Sequence, residues 1–545
     1  MIRMEIKRRD GLARSGLLTI DDAPLLFPAA IETEMIFPSL GARQHTNVPL
    51  SAPTGFAATY IKNNGEQPIA IHPSLDNPAT SGDCVLVANW QTALSNPRNY
   101  VKWLVALKEK TPPDTIWFTP GSALPSTVHI LCYSGFDLFD FLAVDLKSAQ
   151  GIFCTPEGDL PADAIHAGIC TCEGCRNHDL KAHNRQALLG ETALVRQFIG
   201  QSRLRELVES RCRMNPNQVA ILRHLDNQYA FVERYVPVAR SGVLRANSGE
   251  SMQRVEVRWF SERLLSRYRP PKAGVAVLLP CSARKPYSLS QSHRRFQQAI
   301  AGRAHELIVT SPLGLVPREL ECCYPAGHYD VPVTGYWDAE ECAVISGILS
   351  RYFARHQYNR VITHLDGGAL KVAEQAAQAC GITLEYSCTE HPASDAALAT
   401  LSQAHSGERR VKDDRLHGML SWQFDADIDT RGITARGHFP ELFFSKGTTQ
   451  LFSLDTGTGM LRPTFDGWFL IPAGYRVHID DFVPEGDILA PGVVNADPEI
   501  REGDEVLVIG ARAMAVGRSA MPAWEMQKSR RGVAVRVRKI KRLDS

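Results

Sequence analysis

The sequence has no apolar run approaching the roughly 18 residues that a membrane span needs, so no membrane role is read. Its basic start, residues 1–16, is not followed by an apolar stretch, and no signal peptide is recognised. Charge of one sign is also missing. Lys+Arg number 60 against 59 Asp+Glu, a net charge of +1, so nucleic-acid binding has to come from a local patch. No 20–50-residue repeat is visible, which argues against solenoids and propellers. A disulfide framework is missing too: of 13 cysteines, three crowd into CTCEGC and the rest are scattered. In a cytoplasmic protein that pattern points to metal. With 44% hydrophobic and 22% charged residues the chain is an ordinary globular one, neither disordered nor collagen-like. At roughly 100–200 residues per domain it holds about three to five domains.

The first 135 residues alternate in a βα manner, with strands predicted at 83–88 and 114–119 and a helix at 100–110. Residues 179–210 turn helical, and 218–233 follow suit. The segment 267–272 (RYRPPK) has two prolines and little to bury, as a linker would. Beyond it, strands at 274–279, 307–310, 360–364 and 382–387 alternate with helices at 292–301, 340–356 and 369–380, which predicts a mostly parallel sheet covered on both faces. A polar break at 403–414 precedes short strands to the end. The last one, 533–540, alternates Val533, Val535 and Val537 with Arg536 and Arg538, predicting valines inward and arginines outward.

Cys170, Cys172 and Cys175 form CxCxxC. Zinc favours four tetrahedral N/S ligands, and a closed Cys₃His set is structural. A helix starting near Asp179 brings His183 to the fourth corner; His178 and His166 are the rival ligands. The second candidate site is PCSARKPYSLSQSH, residues 280–293. It follows the 274–279 strand directly, and ligands of parallel sheets bind beyond the carboxyl ends of strands. Cys281 would be the nucleophile there and His293 the general base, with Ser290 capping the next helix. Arg284 and Lys285 would favour the thiolate. The alternative is a buried, inert cysteine. Segments 310–317, with Ser311, and 366–368, with Asp366, would share the rim, and 321–337 resembles a substrate loop more than core.

Two resemblances extend this reading. CTCEGC, the His183-Asn184 pair and GFDLFD (135–140) resemble archaeal tRNA-guanine transglycosylases. That resemblance makes Asp140 the counterpart of their nucleophile, with a structural or substrate-contacting carboxylate as the alternative. Their DSGGFQ segment is missing; the nearest strand runs on as CVLVANWQTALSNP. The motif PCxxxKPYxxSxxH, matched at Pro280, Cys281, Lys285, Pro286, Tyr287, Ser290 and His293, resembles the archaeosine synthase family. The resemblance implies transfer of free lysine through its side-chain amine to the nitrile of 7-cyano-7-deazaguanine at position 15 of tRNA, followed by action of a radical-SAM partner. It implies catalysis by Cys281, Lys285, Ser290 and His293 with a substrate contact by Tyr287; rim position makes Ser311 and Asp366 further candidate substrate contacts, and the cysteine cluster is expected to hold Zn²⁺. Base exchange and a non-catalytic tRNA scaffold are the competing functions.

The end of the chain, around 487–519, resembles a PUA domain. Between 528 and 542 stand eight basic and no acidic residues, making Arg530, Arg531, Arg536 and Arg538 candidate phosphate contacts. The fold expected is α/β multidomain. A reduced TIM-barrel-like transglycosylase domain with the zinc site (1–215) leads through a helical connection and linker (216–271) to a central α/β/α catalytic domain (272–410). A small α+β domain (415–473) and a β-rich PUA barrel (474–545) follow. The protein is expected to be cytoplasmic, with a homodimer as one possible assembly.

Overall fold

The structure, a computed structural model, describes residues 2–20, 22–33, 69–72, 83–240, 242–332, 337–412 and 414–543. The chain divides into two compact units. One comprises Met1–Pro237, Ile488–Val494 and Met521–Ala534; the other comprises Val238–Asp487, Asn495–Ala520 and Val535–Ser545.

The first unit opens with an antiparallel sheet of β1 (Ile2–Asp10), β2 (Ala13–Ile20) and β3 (Ala23–Phe27). A parallel sheet follows, built from β4 (Ala29–Ile31), β5 (Ile69–Ile71), β6 (Cys84–Val87), β7 (Ile116–Phe118) and β8 (Leu138–Asp140), in the order β4-β8-β7-β6-β5. All four residues of β6 are buried, as they must be in a parallel sheet covered on both faces. Strands β6 and β7 fall where the sequence predicts. The helix between them, α1 (Pro97–Lys110), starts three residues early because Asn96 caps it and Pro97 occupies its first turn. After α2 (Val128–Tyr133) and α3 (Leu142–Ala149) comes the hairpin β9 (Ile152–Thr155) and β10 (Gly158–Pro161). The expected 179–210 helix is two helices, α4 (Leu180–Gly200) and α5 (Leu204–Cys212), separated where Ser202 takes a left-handed φ of 56°. Helix α6 (Pro216–Asp226) follows.

In the second unit α7 (Val255–Ser266) precedes a five-stranded sheet: β11 (Val275–Pro280), β12 (His305–Thr310), β13 (Gly314–Pro317), β14 (Arg360–Thr363) and β15 (Leu384–Tyr386). Its order is β13-β12-β11-β14-β15, parallel except for β13. Helices α8 (Gln291–Ile300), α9 (Ala339–Arg355), α10 (Gly367–Cys380) and α11 (Asp395–Ala404) connect or flank the strands. From β11 the chain passes to β12 on one side and later returns to β14 on the other. The carboxyl end of β11 is therefore a topological switch point, where ligands of such sheets bind.

Three expectations need correction here. Segment 267–272 is not bare linker: Tyr268 is fully buried, and its hydroxyl donates to Glu319 at 2.9 Å. Of the expected rim 310–317, residues 314–317 fold back as the buried strand β13. Segment 321–337 is largely core at its start, with Cys323, Tyr324, Ala326 and Tyr329 buried.

Helix α12 (Arg415–Phe424) leads into an antiparallel sheet of β16 (Ile433–His438), β17 (Glu441–Lys446), β18 (Thr449–Leu454) and β19 (Leu461–Pro463). Near the C-terminus β20 (Arg476–Ile479) runs parallel to β21 (Glu505–Ile509), which pairs antiparallel with β22 (Ala513–Ser519), and that strand with β23 (Val533–Arg542). Arg536 and Arg538 point outward as expected, but the valine alternation is broken. Ala534 and Val535 are both buried, and a bulge opposite Val516 and Gly517 shifts the register. No helix among the described residues is long and apolar enough to cross a membrane.

One buried ion pair ties β2 to the residue preceding β8. Arg14 donates to both Asp137 oxygens, at 2.9 and 2.7 Å, and to the carbonyls of Pro113 and Thr115. Asp137 also accepts the Trp117 amide at 2.8 Å. Arg14→Ala would strand a buried carboxylate, so denaturant titration should show a loss of about 3–5 kcal/mol.

Candidate active site and metal centre

The metal centre is built by a tight turn against a helix. Donor atoms of Cys170, Cys172, Cys175 and His183 all lie within 4.8 Å of one another. The single helical turn Glu173–Arg176 carries Cys175, and α4 carries His183. A Cβ on Gly174 would sit 2.3 Å from the His183 amide, so glycine alone allows this approach. His183 Nδ1 faces the thiols, 3.4 Å from Cys172 Sγ and 3.2 Å from Cys175 Sγ. Its Nε2 faces the Cys154 carbonyl at 3.1 Å, and its ring stacks on Phe153 at 3.7 Å. That second bond fixes the ring and leaves Nδ1 for a cation, the arrangement typical of metal-bound histidines. Asn184 fastens the same helix to the β9 hairpin: its side chain accepts the Cys154 amide and donates to Ser148 and Ile152. The rivals His166 and His178 lie outside the cluster and pack on each other at 4.7 Å.

Asp140 ends β8 and is buried. One oxygen accepts the amides of Gly121 (2.7 Å) and Leu142 (3.3 Å), and Thr33 donates to the other at 3.4 Å. Burial nevertheless lifts its carboxyl to about 6.

In the second unit a cavity of about 590 Å³ opens at the carboxyl edge of the five-stranded sheet. Cys281, Ser311 and Asp366, each just beyond a strand end, line it together with Met252, Phe296 and Trp337. Cys281 is exposed. Lys285 Nζ lies 4.0 Å over the Tyr329 ring, and partial burial lowers its pKa against the opposing pull of Cys281 and Asp330. Tyr287 is fully buried behind the wall, its hydroxyl 2.7 Å from that of Tyr329, which in turn bonds Thr310. Ser290 caps α8 as predicted, accepting the His293 amide at 3.2 Å.

His293 is placed differently from the sequence expectation. It does not line the cavity, and both ring nitrogens are engaged. Arg318 donates to Nδ1 at 2.9 Å, so the proton sits on Nε2, which donates to the Pro280 carbonyl at 3.0 Å. Burial and the Arg318 charge hold its pKa down at about 3. A neutral histidine locked in this way positions the residue before Cys281 instead of moving protons. Arg318 also bonds Glu306 and Glu321, and Glu321 accepts the Ser288 amide at 2.8 Å. Sequence reasoning missed this network, as well as the wall formed by residues 246–252 and 391–393. The Asp338–Glu341 capping box beside the rim was readable, since Asp-x-x-Glu marks a helix start.

The candidate RNA-binding arginines are mostly committed. Arg530 pairs with Asp83 and Asp114, Arg531 with Asp83, and Arg538 with the buried Glu505 at 2.8 Å. Arg536 is exposed.

The His293 geometry has a pH consequence. Unfolded, this histidine takes a proton near pH 6.5. Folded, it resists down to about 3. The unfolded chain therefore binds the extra proton between these values, and stability falls as pH drops through that window. Chemical denaturation of wild type and His293→Gln from pH 7 to 4 should show a shallower loss in the variant.

A family profile described as a domain of unknown function matches residues 257–405, and a PUA domain profile matches residues 475–541. The chain is 38% identical over 528 residues to the archaeosine synthase subunit alpha of Methanosarcina acetivorans, covering 90% of this chain and 84% of that protein. It is 34% identical over 582 residues to the archaeosine synthase of Haloferax volcanii, covering 98% and 99%. The tRNA-guanine(15) transglycosylase of Methanobrevibacter smithii is 25% identical over 455 residues, 77% of this chain and 66% of that protein. Similarity that runs nearly end to end with the Haloferax protein, through the Cys281 segment and the PUA domain, means that the chain belongs to the archaeosine synthase family.

Proposed function

We propose that the protein is a tRNA-modifying lysine transferase of archaeosine biosynthesis. Its substrates are free lysine and tRNA carrying 7-cyano-7-deazaguanine at position 15. The lysine side-chain amine adds to the nitrile, and a radical-SAM partner processes the amidine-linked adduct. The observation that carries this reading is Cys281, exposed on the wall of a 590 Å³ cavity at the switch point of its sheet.

The chemistry follows from a thiol beside an electrophilic carbon. Cys281 Sγ adds to the nitrile carbon, its proton passes to the nitrile nitrogen, and a thioimidate forms. The lysine amine then attacks the same carbon, the C–S bond breaks, and the amine's proton returns to sulfur. One difficult addition becomes two easier ones. Lys285, within electrostatic reach of Cys281, steadies charge developing on the nitrile nitrogen. Ser290 and His293 are positioning residues. Tyr287, through Tyr329 and Thr310, stiffens the wall, and Ser311 and Asp366 contact substrate.

The first unit we read as a reduced transglycosylase-like barrel. Asp140, buried and holding two backbone amides, anchors its loops and does not exchange bases. The cysteine cluster takes a structural Zn²⁺ on Cys170, Cys172, Cys175 and His183, since a closed Cys₃His set leaves no open position. The PUA domain docks tRNA, with Arg536 among its phosphate contacts. The protein works in the cytoplasm.

Two measurements test these assignments. Purified protein should contain about one zinc per chain, and Cys172→Ser should lose both the metal and thermal stability of the first unit. Full metal content in that variant would rule the centre out. Incubation of cyano-deazaguanine tRNA with isotope-labelled lysine should label the tRNA. Cys281→Ala should lower the rate by several orders of magnitude, whereas a cost of about tenfold, roughly 1.4 kcal/mol, would mean direct attack by lysine.

A further inference from the structure

We propose that the outer face of the sheet formed by β16, β17, β18 and β19 binds an unpaired stretch of RNA. One base stacks on Phe443, and the flanking phosphates lie on Arg436, Arg462, Arg518 and Arg538. The proposal deepens the tRNA-modifying reading and rests on it, carrying RNA contact from the PUA domain onto the sheet that precedes it.

Strand register carries the argument. Residues directly opposite each other in antiparallel strands project from the same face. Arg436 on β16 pairs with Phe443 on β17, Phe443 with Ser453 on β18, and Ser453 with Arg462 on β19. These four therefore form one row across the sheet. The next row, Ala435, Phe444, Phe452 and Pro463, faces the other way, and its last three members are buried. Phe443 is 44% exposed, with an arginine on the strand to one side and another two strands to the other. Arg436 is exposed, and its guanidinium donates to the Gly447 carbonyl at 3.2 Å. Glu441, opposite His438 at the end of β16, is an exposed carboxylate on the same face.

The row continues onto the C-terminal sheet through ion pairs. Asp455 holds both Arg462 and Arg518 of β22, and Glu505 holds Arg518 at 3.4 Å and Arg538 of β23 at 2.8 Å. The carboxylates are 7% and 1% exposed, whereas the three arginines are 40%, 32% and 38% exposed. Acid thus lies inside and base outside, so the surface is positive although the pairs nearly balance. Arg536 pairs directly with Arg518 and adds a further exposed cation. Arg538 also reaches the Pro463 carbonyl at 3.3 Å, tying β23 to β19. Guanidiniums from three strands are held in place before any ligand arrives, which lowers the ordering cost of binding.

Arginines beside a bare phenyl ring select the partner. Guanidinium forks match phosphate. A duplex supplies phosphates but keeps its base faces stacked inside. An unpaired segment supplies phosphates and open base faces together, and stacking on aromatic side chains is how such segments are bound. An apolar protein surface would use Phe443 and leave the arginines without a role.

The test uses the full chain and fluorescence anisotropy with two labelled RNAs, one of about ten unpaired nucleotides and one a duplex of the same length. Phe443→Ala should weaken binding of the unpaired RNA at least about fivefold, the low end of one lost base stack, and leave duplex binding and the salt slope unchanged. Phe443→Trp should restore the affinity. Arg436→Gln should weaken binding of the unpaired RNA and flatten its plot of log affinity against log salt by about 0.7, the worth of one phosphate contact on a single strand. Neither side chain joins a buried ion pair, so Tm should stay within a degree or two of wild type in both variants. Unchanged affinity of Phe443→Ala for the unpaired RNA, or an equal loss for the duplex, overturns the proposal. So does a wild-type dimer in sedimentation that Phe443→Ala dissolves, since the face would then belong to a second copy of the chain. If these variants fail to affect RNA binding while labelled lysine still enters tRNA, the transferase reading stands without this surface. If wild-type protein binds unpaired RNA through Phe443 but never labels tRNA, the surface stands and the transferase reading fails.

Discussion

The central sheet is organised around one buried guanidinium. Arg318 bonds Glu306 on β12, Glu321 on the following turn and the imidazole of His293 on α8. Removing its carboxylates would leave an unpaired charge in the core, and removing the arginine would leave two. Because Arg318 donates to Nδ1, the His293 proton is forced onto Nε2 and into a bond with the Pro280 carbonyl. The residue before Cys281 is therefore held by a chain of hydrogen bonds that starts from an ion pair on another strand. Glu321 extends the same control to the far side of the turn through the Ser288 amide. A nucleophile on a loop gains precision when its neighbours are locked by packing and hydrogen bonds.

Much of this was legible in the sequence, and the reasons differ by residue. The strand 275–280 declared itself as an unbroken apolar run, and the helix after it through Ser290, whose cap bond forms as predicted. Cys170, Cys172, Cys175 and His183 converge because short spacing and one helix fix their geometry locally. Its place on the helix already favoured His183 over His178; what the sequence could not show is the Cys154 carbonyl, from a hairpin some thirty residues away, that orients the ring. His293 was legible as important but not in its role. Residue type and spacing said base; the guanidinium of Arg318, 25 positions on, made it an immobile donor. The same holds for the terminal arginines, whose acidic partners Asp83, Asp114 and Glu505 are far off in sequence.

Charge divides the labour between the two ligands that the proposed reaction needs. The terminal strand β23 carries Arg536, Lys539 and Lys541 on exposed positions, and such a surface attracts phosphate through counterion release. The cavity at the end of β11 differs: its described wall carries Asp338, Glu340, Glu341 and Asp366, with His391 and no lysine or arginine. Near-neutral net charge for the whole chain conceals this separation. It is one reason why composition alone says little about the partners of a multidomain protein.

The choice of nucleophile among thirteen cysteines follows from the same physics. Cys281 is the one exposed thiol in the chain; the other twelve are buried or partly so. Burial without a compensating cation disfavours the thiolate. It pushes Cys154 and Cys322 up to about 12, and raises Cys84, Cys132 and Cys323 as well. Those thiols are packing groups that stay protonated at any physiological pH. Cys170, Cys172 and Cys175 face one another and His183, which suits a metal. Cys281 differs in position more than in kind. It follows the last residue of a largely buried strand, at the point where the chain first leaves the core, on a cavity wall and within electrostatic reach of Lys285. Reactivity here is a matter of where the strand stops: an end one residue earlier or later would turn the sulfur away from the cavity or bury it with the rest.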